Sequence, residues 1–400
     1  MMKHSMVTFR GAVVVLLLGA FLFPRTAQGA DEATINGFKI VVPQSSIPHA
    51  GRIHTNYFFA RSEVPSPDGP PPGVETPGSV ACVYKLVKGP KGCPIATSTT
   101  VPTGGWGAIA IVDAGHYPTA KQDLHVFSSY YGIPDADFKI VYANGHKPPV
   151  YSDWEVEEAL DIEWAHAMAP KAKIFLVESV QVNTDPTWQA VRVAGKLVSQ
   201  NGGGVVSNSW GIPEWPQERN FDKNFKAPGV VFFAASGDSG LGVTSHPAAS
   251  PNVVSVGGTF FNRDSSGNFT DETYSGGGGG DISPYEPIPS FQNVIKGIVG
   301  KKRGYPDVAA DYCCAGIYVE GQWGAVGGTS WSSPTFAGIV NAAGGKHKST
   351  KDELTMIYKE YANKKQYKAD FRDITTGSSS CKRGWDLCAG VGSPLTYKGK

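Results

Sequence analysis

Apolar residues along most of this chain fall into short unbroken blocks, separated by stretches in which they recur every third or fourth position. The blocks Trp106–Val112, Lys139–Tyr142, Lys173–Val177, Gly204–Asn208, Val230–Ala234 and Asn252–Val256 are rich in Val, Ile, Phe and Ala and are predicted to be buried strands. Between them, the wider spacing predicts helices over Thr119–Tyr131, Asp153–Met168, Asp185–Ser199 and Pro216–Phe225. Strand and helix alternate, which predicts an α/β chain with a mainly parallel sheet and helices on both faces. In such sheets the candidate site lies beyond the carboxyl ends of the strands.

The ends of the chain follow other rules. Lys3 and Arg10 precede an apolar run, Gly11–Phe23, and the small residues Ala27-Gln28-Gly29 follow it, as in a secretory signal peptide. The run is shorter than the roughly 20 residues that span a membrane, and no second one follows. Residues 1–29 therefore read as a signal, and the product as secreted, extracellular and free of membrane after cleavage. Residues 30–76 show little periodicity and end in the proline-rich Pro65-Ser66-Pro67-Asp68-Gly69-Pro70-Pro71-Pro72-Gly73, which predicts a short N-terminal arm and linker. Residues 77–400 form the catalytic region.

Composition narrows the partners. The net charge is +1, with 36 basic and 35 acidic residues and no basic cluster, so nucleic acid and acidic membranes are excluded as partners. Forty-nine glycines, 29 prolines and 18% charged residues suit a loop-rich extracellular enzyme. Six cysteines in an exported chain imply disulfides. Cys82 and Cys93 are expected to pair; Cys313, Cys314, Cys381 and Cys388 are left open, and neighbouring cysteines such as Cys313 and Cys314 seldom bridge each other. The glycine run Gly276–Gly280 lacks a following Lys-Ser/Thr, so it reads as a loop lying close to other backbone rather than a phosphate loop.

Candidate chemistry sits in three segments. Gly327-Gly328-Thr329-Ser330 precedes an apolar helical run, which puts Ser330 where a glycine turn meets the positive end of a helix, a setting suited to a nucleophile. Pro334 is expected in the first helical turn. In the predicted helix Asp153–Met168, Val156, Leu160, Trp164 and Ala167 form an apolar stripe, with Glu157 and Asp161 four apart along its border. Two carboxylates so placed can share a proton. Spacing alone also fits a solvated acidic face, and it equally allows Glu158 to pair with Asp161. Asp238, in Ser236-Gly237-Asp238-Ser239-Gly240, follows a strand's carboxyl end, where a turn aspartate is the plain alternative.

Taken in order, Glu157-Glu158-Ala159-Leu160-Asp161-Ile162-Glu163, Ser209-Trp210-Gly211, Ser236-Gly237-Asp238-Ser239-Gly240, Pro247–Val253, Val256-Gly257-Gly258-Thr259, Pro306-Asp307-Val308-Ala309 and Gly327-Gly328-Thr329-Ser330 resemble the sedolisins. The resemblance runs from about Val80 to Pro394. It implies a subtilisin-like fold and a secreted serine-carboxyl peptidase acting on protein or peptide substrates; we read it as a monomeric endopeptidase, with removal of tripeptides from free N-termini left open. By position it implies Ser330 as nucleophile, Glu157 as general base, Asp161 as its partner and Asp238 in the oxyanion hole. The chemistry is coherent in acid: at pH 4 a free imidazole is neutral in only about one molecule in 300, whereas a free glutamate is about a third ionised. A protonated Asp238 can donate to an oxyanion, and an ionised one repels it, so activity is expected to fall toward neutral pH.

The same resemblance implies a calcium loop built from the carboxylates of Asp373 and Asp386 and the carbonyls of Ile374, Lys382 and Gly384, an oxygen set suited to calcium. Lys382 stands where the family usually has glycine. The rival is a subtilisin-type neutral protease with Asp113 and His166, although a His-Gly-Thr-His motif is absent. A silent binding protein on the same fold would be marked by loss of the nucleophile, base or oxyanion residue, and all three are present.

Overall fold

Strand β5 (Ala108–Ala114) is buried along its whole length, and its alternation decides the layers. Ile109 and Ile111 join one core, while Ala108, Ala110 and Val112 join another on the opposite face. The computed structural model describes residues 34–399 apart from 36, 65, 67, 183 and 345–347, so the apolar leader lies outside the described residues. Around β5 run β6 (Phe138–Tyr142), β7 (Lys173–Ser179), β8 (Gly204–Asn208), β10 (Val230–Ala235), β12 (Val254–Arg263), β13 (Phe269–Tyr274) and β16 (Val308–Asp311), in the order β13-β12-β10-β8-β5-β7-β6 with β16 beside β12. The pairs are parallel, apart from the antiparallel edge β12–β13.

Helix α4 (Thr184–Gln200) covers one face; α3 (Ser152–Met168) and α6 (Thr329–Ala342) cover the other, with α2 (Ala120–Tyr130) outside α3. The expected arrangement of helices on both faces is therefore present. Two details differ. The stretch Pro216–Phe225 is not a helix but holds two 3-10 turns, Glu218–Asn220 and Asp222–Asn224. Ser250 Oγ and Asn252 Nδ2, distant in sequence, donate to the side chain and the carbonyl of Asp222, so a tertiary contact takes a carbonyl that a continuous helix would use. Helix α3 is buried on every side from Trp154 to Met168, not along one stripe only, so its carboxylates face protein rather than water.

From Thr34 on, the arm belongs to the same compact unit as the rest of the described chain. Its strands β1 (Thr34–Ile35), β2 (Phe38–Val41) and β4 (Phe58–Arg61) form a sheet with β17 (Ala315–Val319) and β18 (Gln322–Gly327), in the order β1-β2-β4-β18-β17. Between β2 and β4, β3 (His54–Thr55) pairs antiparallel with β9 (Trp210–Pro213). Periodicity missed these strands because each is at most four residues long. Too few alternations fit in that length to stand out.

Disulfides join Cys82 to Cys93, as expected, and Cys381 to Cys388. The neighbours Cys313 and Cys314 are also bridged, against the expectation for adjacent cysteines. The glycine run lies against backbone: Gly279 N donates to Gly237 O (2.7 Å) and Gly240 N to Gly277 O (2.8 Å). A Cβ on Gly279 would strike the carbonyl of Ser236, so this run props the turn that carries Asp238.

Candidate active site

Ser330 is the second residue of α6, fully buried, behind a Gly328 whose φ of 127° suits glycine alone. Its Oγ donates to Ser209 O (2.9 Å) and accepts from the Asn56 amide (3.1 Å). Its own amide donates to Asn56 O (3.0 Å). Pro334 lies inside α6 rather than in its first turn, because the helix begins at Thr329. Lacking an N–H, Pro334 cannot bond the Ser330 carbonyl four residues back. Ser209 Oγ donates to that carbonyl instead (3.3 Å). Ser330 is thus tied at both oxygens to the Ser209-Trp210-Gly211 segment.

Helix α3 brings Glu157, Glu158 and Asp161 to this point, all fully buried. Asp113 reaches the same region from the carboxyl end of β5. Burial pushes Glu157 well above the usual carboxylate range; the Asp113 charge adds to this, while the Ser330 hydroxyl and the Asn56 amide pull it back. Burial also raises Asp161, with the charges of Asp113 and Glu157 adding and the Ser209 hydroxyl opposing. Asp113 is pushed up to about 8 by burial and by Glu178. Three like charges in one dry pocket repel one another, so the ionisation of each of these carboxyls depends on the others.

Asp238 closes the other side. Its Oδ1 accepts from Thr329 N and Thr329 Oγ1, both at 2.8 Å, which fixes it beside the start of α6. Burial raises it to about 8 against the pull of those two bonds. Its Oδ2 has no hydrogen-bond partner and lies 2.6 Å from where a Cβ on Gly328 would stand. A glycine there leaves room for an oxygen between Asp238 and the Ser330 amide.

A parallel sheet with this strand order, and a serine entering a helix at its carboxyl edge, find a match in known proteins. The subtilase family pattern covers residues 140–373. The chain belongs to the subtilase family. Its relatives place it among the sedolisins: it is 34% identical over 288 residues to kumamolisin from Bacillus sp. (strain MN-32), covering 61% of this chain and 49% of that protein. It is 29% identical over 289 residues to sedolisin from Pseudomonas sp. (strain 101), covering 61% and 48%. The chain spans about half the length of these curated relatives. Among solved structures, Pseudomonas sedolisin complexed with pseudo-iodotyrostatin superposes with a TM-score of 0.67 at 22% identity, covering 83% of this chain and 96% of that one, which shows the shared fold.

In this sedolisin-family chain, Ser330 from α6, Glu157 and Asp161 from α3, and Asp238 from the turn after β10 come from three distant segments to one place. Glu158 lies in the same acidic cluster; burial raises its pKa, with the charges of Glu178 and Asp113 adding to it. His166 does not join them; its Nε2 meets the carbonyl of Pro134 (2.8 Å), and burial lowers its pKa. The subtilisin alternative loses its base to packing. The member that sequence reasoning left out of the set is Asp113, and its signal was its position at the carboxyl end of a central strand.

The expected calcium ligands also converge in part. Asp373 accepts from Gly384 N (3.0 Å), and Asp386 Oδ1 accepts from the amides of Cys388 and Ala389 (2.9 and 3.1 Å). Asp386 is pushed up to about 6 by burial, with the Asp373 charge adding to it. Two carboxylates that repel each other in a half-buried loop fit a hard cation. Cys381 and Cys388 flank Asp386 but are joined to each other, which removes them as thiolate ligands.

Proposed function

We propose that the chain is a secreted, monomeric serine-carboxyl endopeptidase that hydrolyses proteins or peptides in acid through an acyl-enzyme on Ser330. The observation that carries this reading is the joint burial of Glu157, Asp161 and Asp113 beside Ser330, whose hydroxyl opposes the upward push of burial on Glu157. Glu157 acts in the form of the site that has lost one proton: it takes the hydroxyl proton as Ser330 Oγ attacks the scissile carbonyl, so the acid limb of the profile follows the first ionisation of the buried carboxyls. Asp161 and Asp113 keep the remaining protons and hold Glu157 in place. The Ser330 amide and a protonated Asp238 donate to the oxyanion. Glu157 then passes the proton to the leaving amine, and water completes hydrolysis.

The test is the pH profile of denatured-protein cleavage. Activity is expected in acid, with its alkaline limb completed as Asp238 ionises through about 8. Glu157→Gln should lower kcat by about 10²- to 10⁴-fold, the usual worth of a positioned base. Asp238→Asn keeps a neutral donor at every pH and should shift the alkaline limb. A profile that climbs through pH 7 to a maximum at pH 8 or above would sink the carboxylate mechanism.

We further propose that Asp373 and Asp386, with the carbonyls of Ile374, Lys382 and Gly384, hold one structural calcium ion. Such an ion supplies charge neutralisation for the two carboxylates and ties the loop to the chain that follows α7 (Thr350–Ala362). A ligand at 100 times its Kd stabilises by roughly 2.7 kcal/mol. At roughly 2–4 °C per kcal/mol for a large domain, chelation should lower the melting midpoint by about 5–10 °C. An unchanged midpoint in excess chelator would remove calcium from the account.

A further inference from the structure

Glu178 is a fully buried carboxyl beside the site that the proposed chemistry does not use, and a buried histidine, His116, holds it. We propose that His116 and Glu178 are positioning residues for Glu157. His116 keeps a negative charge on Glu178, and that charge keeps Asp113 protonated. The charge left when the buried carboxyls lose a proton then rests on Glu157 beside Ser330; this rests on the peptidase reading above.

Strand register and a glycine turn bring these groups together. Asp113 lies opposite Glu178 in the parallel pair of β5 and β7, as Ile111 lies opposite Leu176. Both carboxyls therefore leave the sheet on the face that carries Ile109, Ile111, Ile174 and Leu176, the face covered by α3. Gly115, at a φ of 101° that favours glycine, turns the chain at the end of β5, with its amide on Ser179 O (2.9 Å). His116 follows, its amide donating to Pro149 O (2.9 Å). Its Nδ1 lies 3.0 and 2.9 Å from the two oxygens of Glu178. The Tyr117 amide also donates to Glu178 Oε1 (3.3 Å).

These contacts divide the carboxyls into two kinds. N–H groups reach both oxygens of Glu178, and such donors favour the charged form of a carboxyl. Asp113 on β5 and Glu158 on α3 have no hydrogen-bond partner at either oxygen, and a dry carboxyl without donors favours its neutral form. Burial works against a charge on Glu178, pushing it up to about 8 against the Tyr117 amide and Lys147. Burial also lowers His116, with the Lys147 charge adding. The forked contact opposes both trends, because a charged pair at 2.9 Å makes a stronger hydrogen bond than a neutral one, and a carboxylate offers both oxygens to one N–H. The other groups around the pair are Tyr142, opposite Glu178 on β6 and edge-to-face with the His116 ring (5.8 Å), and the exposed Lys147. Among the described residues, His116 is the cationic side chain in ion-pair contact with the carboxyls Asp113, Glu157, Glu158, Asp161 and Glu178.

Where the Glu178 charge acts decides its effect. It raises Asp113 and Glu158, whereas the charge that raises Glu157 most is that of Asp113. With Glu178 ionised, Asp113 keeps its proton, and Glu157 is left as the carboxylate next to Ser330. Without that charge, Asp113 ionises first, and its own charge then holds the proton on Glu157 to a higher pH. Loss of the His116 cation has the same result, since burial then returns the proton to Glu178.

The experiment compares pH profiles of kcat/KM for cleavage of a denatured protein by the full chain, by Glu178→Gln, by His116→Gln and by the double variant. Glutamine at 178 keeps the size and an acceptor for the Tyr117 amide; glutamine at 116 removes the cation. In each single variant the acid limb should move up by about one pH unit or more, about a tenfold loss of activity below that limb. The alkaline limb assigned to Asp238 should stay in place. The double variant should show the displacement of either single one and no more, because both act through one charge. Nitrogen NMR of histidine-labelled Ser330→Ala reads the cation directly, with the further change His116→Gln identifying its signal. An imidazolium is expected at pH 5, and in Glu178→Gln the ring should lose its proton about one unit lower. If the native chain is active and the acid limbs of the variants coincide with its own, the pair is structural whatever happens to kcat or the melting midpoint; the inference is then overturned and the peptidase reading stands. A neutral His116 ring at pH 5 overturns it as well, even where an activity variant fails to fold. If the native chain cuts nothing at any pH, the peptidase reading fails and takes the inference with it.

Discussion

Replacing Ser330 with alanine is expected to lower kcat for protein cleavage by roughly 10⁴- to 10⁶-fold, the scale on which a serine nucleophile fails when its hydroxyl is removed. The fold should survive. The lost hydroxyl makes two hydrogen bonds, to Ser209 O and from the Asn56 amide, in a fully buried position. Each is worth on the order of 1 kcal/mol net, a small share of the stability of a domain this size. The Ser330 amide, which holds the Asn56 carbonyl, is untouched by the change. Peptide binding should therefore persist while turnover disappears, a separation that kinetics, a binding titration and a thermal melt can read on one preparation. Retention of more than about a tenth of the activity would remove Ser330 from the chemistry, since no uncatalysed route supplies that rate. A variant that fails to melt cooperatively would speak only to folding, and Ser330→Cys, which keeps a nucleophile of similar size, then separates the two.

The parts of this site that were legible in the sequence are those where a local pattern and a chemical need coincide. Glycines before an apolar helix mark Ser330, whereas the carboxylate spacing on the helix fits either Glu157 or Glu158 with Asp161, and the choice of Glu157 came from the resemblance. Other parts depend on distance in space. Asp113 stands 44 positions before Glu157 in the chain, and only the parallel register of β5 beside β7 and β8 brings it under α3. The burial of α3 all round was hidden for a similar reason: its second face is covered by α6 and by the strand β17, which come far later in the chain. Spacing showed a helix that could be half solvated; packing removed the water. Least legible was the arm. Its strands are too short to carry a period, and they exist because β18 and β9 offer unpaired edges for them to complete.

Stability should follow the opposite pH trend from that of most proteins, with the melting midpoint highest near pH 4 and falling as the pH rises to 8. Ordinary domains lose stability in acid because paired carboxylates must be protonated. Here the principal buried carboxyls are shifted the other way: Asp113 and Asp238 are pushed up to about 8, and Glu157, Glu158 and Asp161 are raised as well, in each case chiefly by burial. A second group away from the nucleophile, Glu218 at about 10 and Glu286 at about 7, adds the same sign. Between the ordinary carboxylate range near 4 and these raised values, the folded chain binds more protons than the unfolded one. Stability is therefore fully present below about pH 4 and is lost as the pH climbs toward 8. For one enclosed group such as Asp238, a shift of about four units corresponds to on the order of 5 kcal/mol across that window. That predicts a fall in the midpoint of about 10 °C or more. Asp238→Asn and Asp113→Asn each delete one titrating group and should flatten the curve by that group's share, with the midpoint near pH 4 little changed. A midpoint that instead rises from pH 4 to 7 would mean that these carboxyls are ionised in the folded protein, and Asp238 could not then donate to an oxyanion. The enclosure that raises Asp238, Asp113, Glu157 and Asp161, and on which the proposed chemistry depends, is thus the same enclosure that ties the fold to acid.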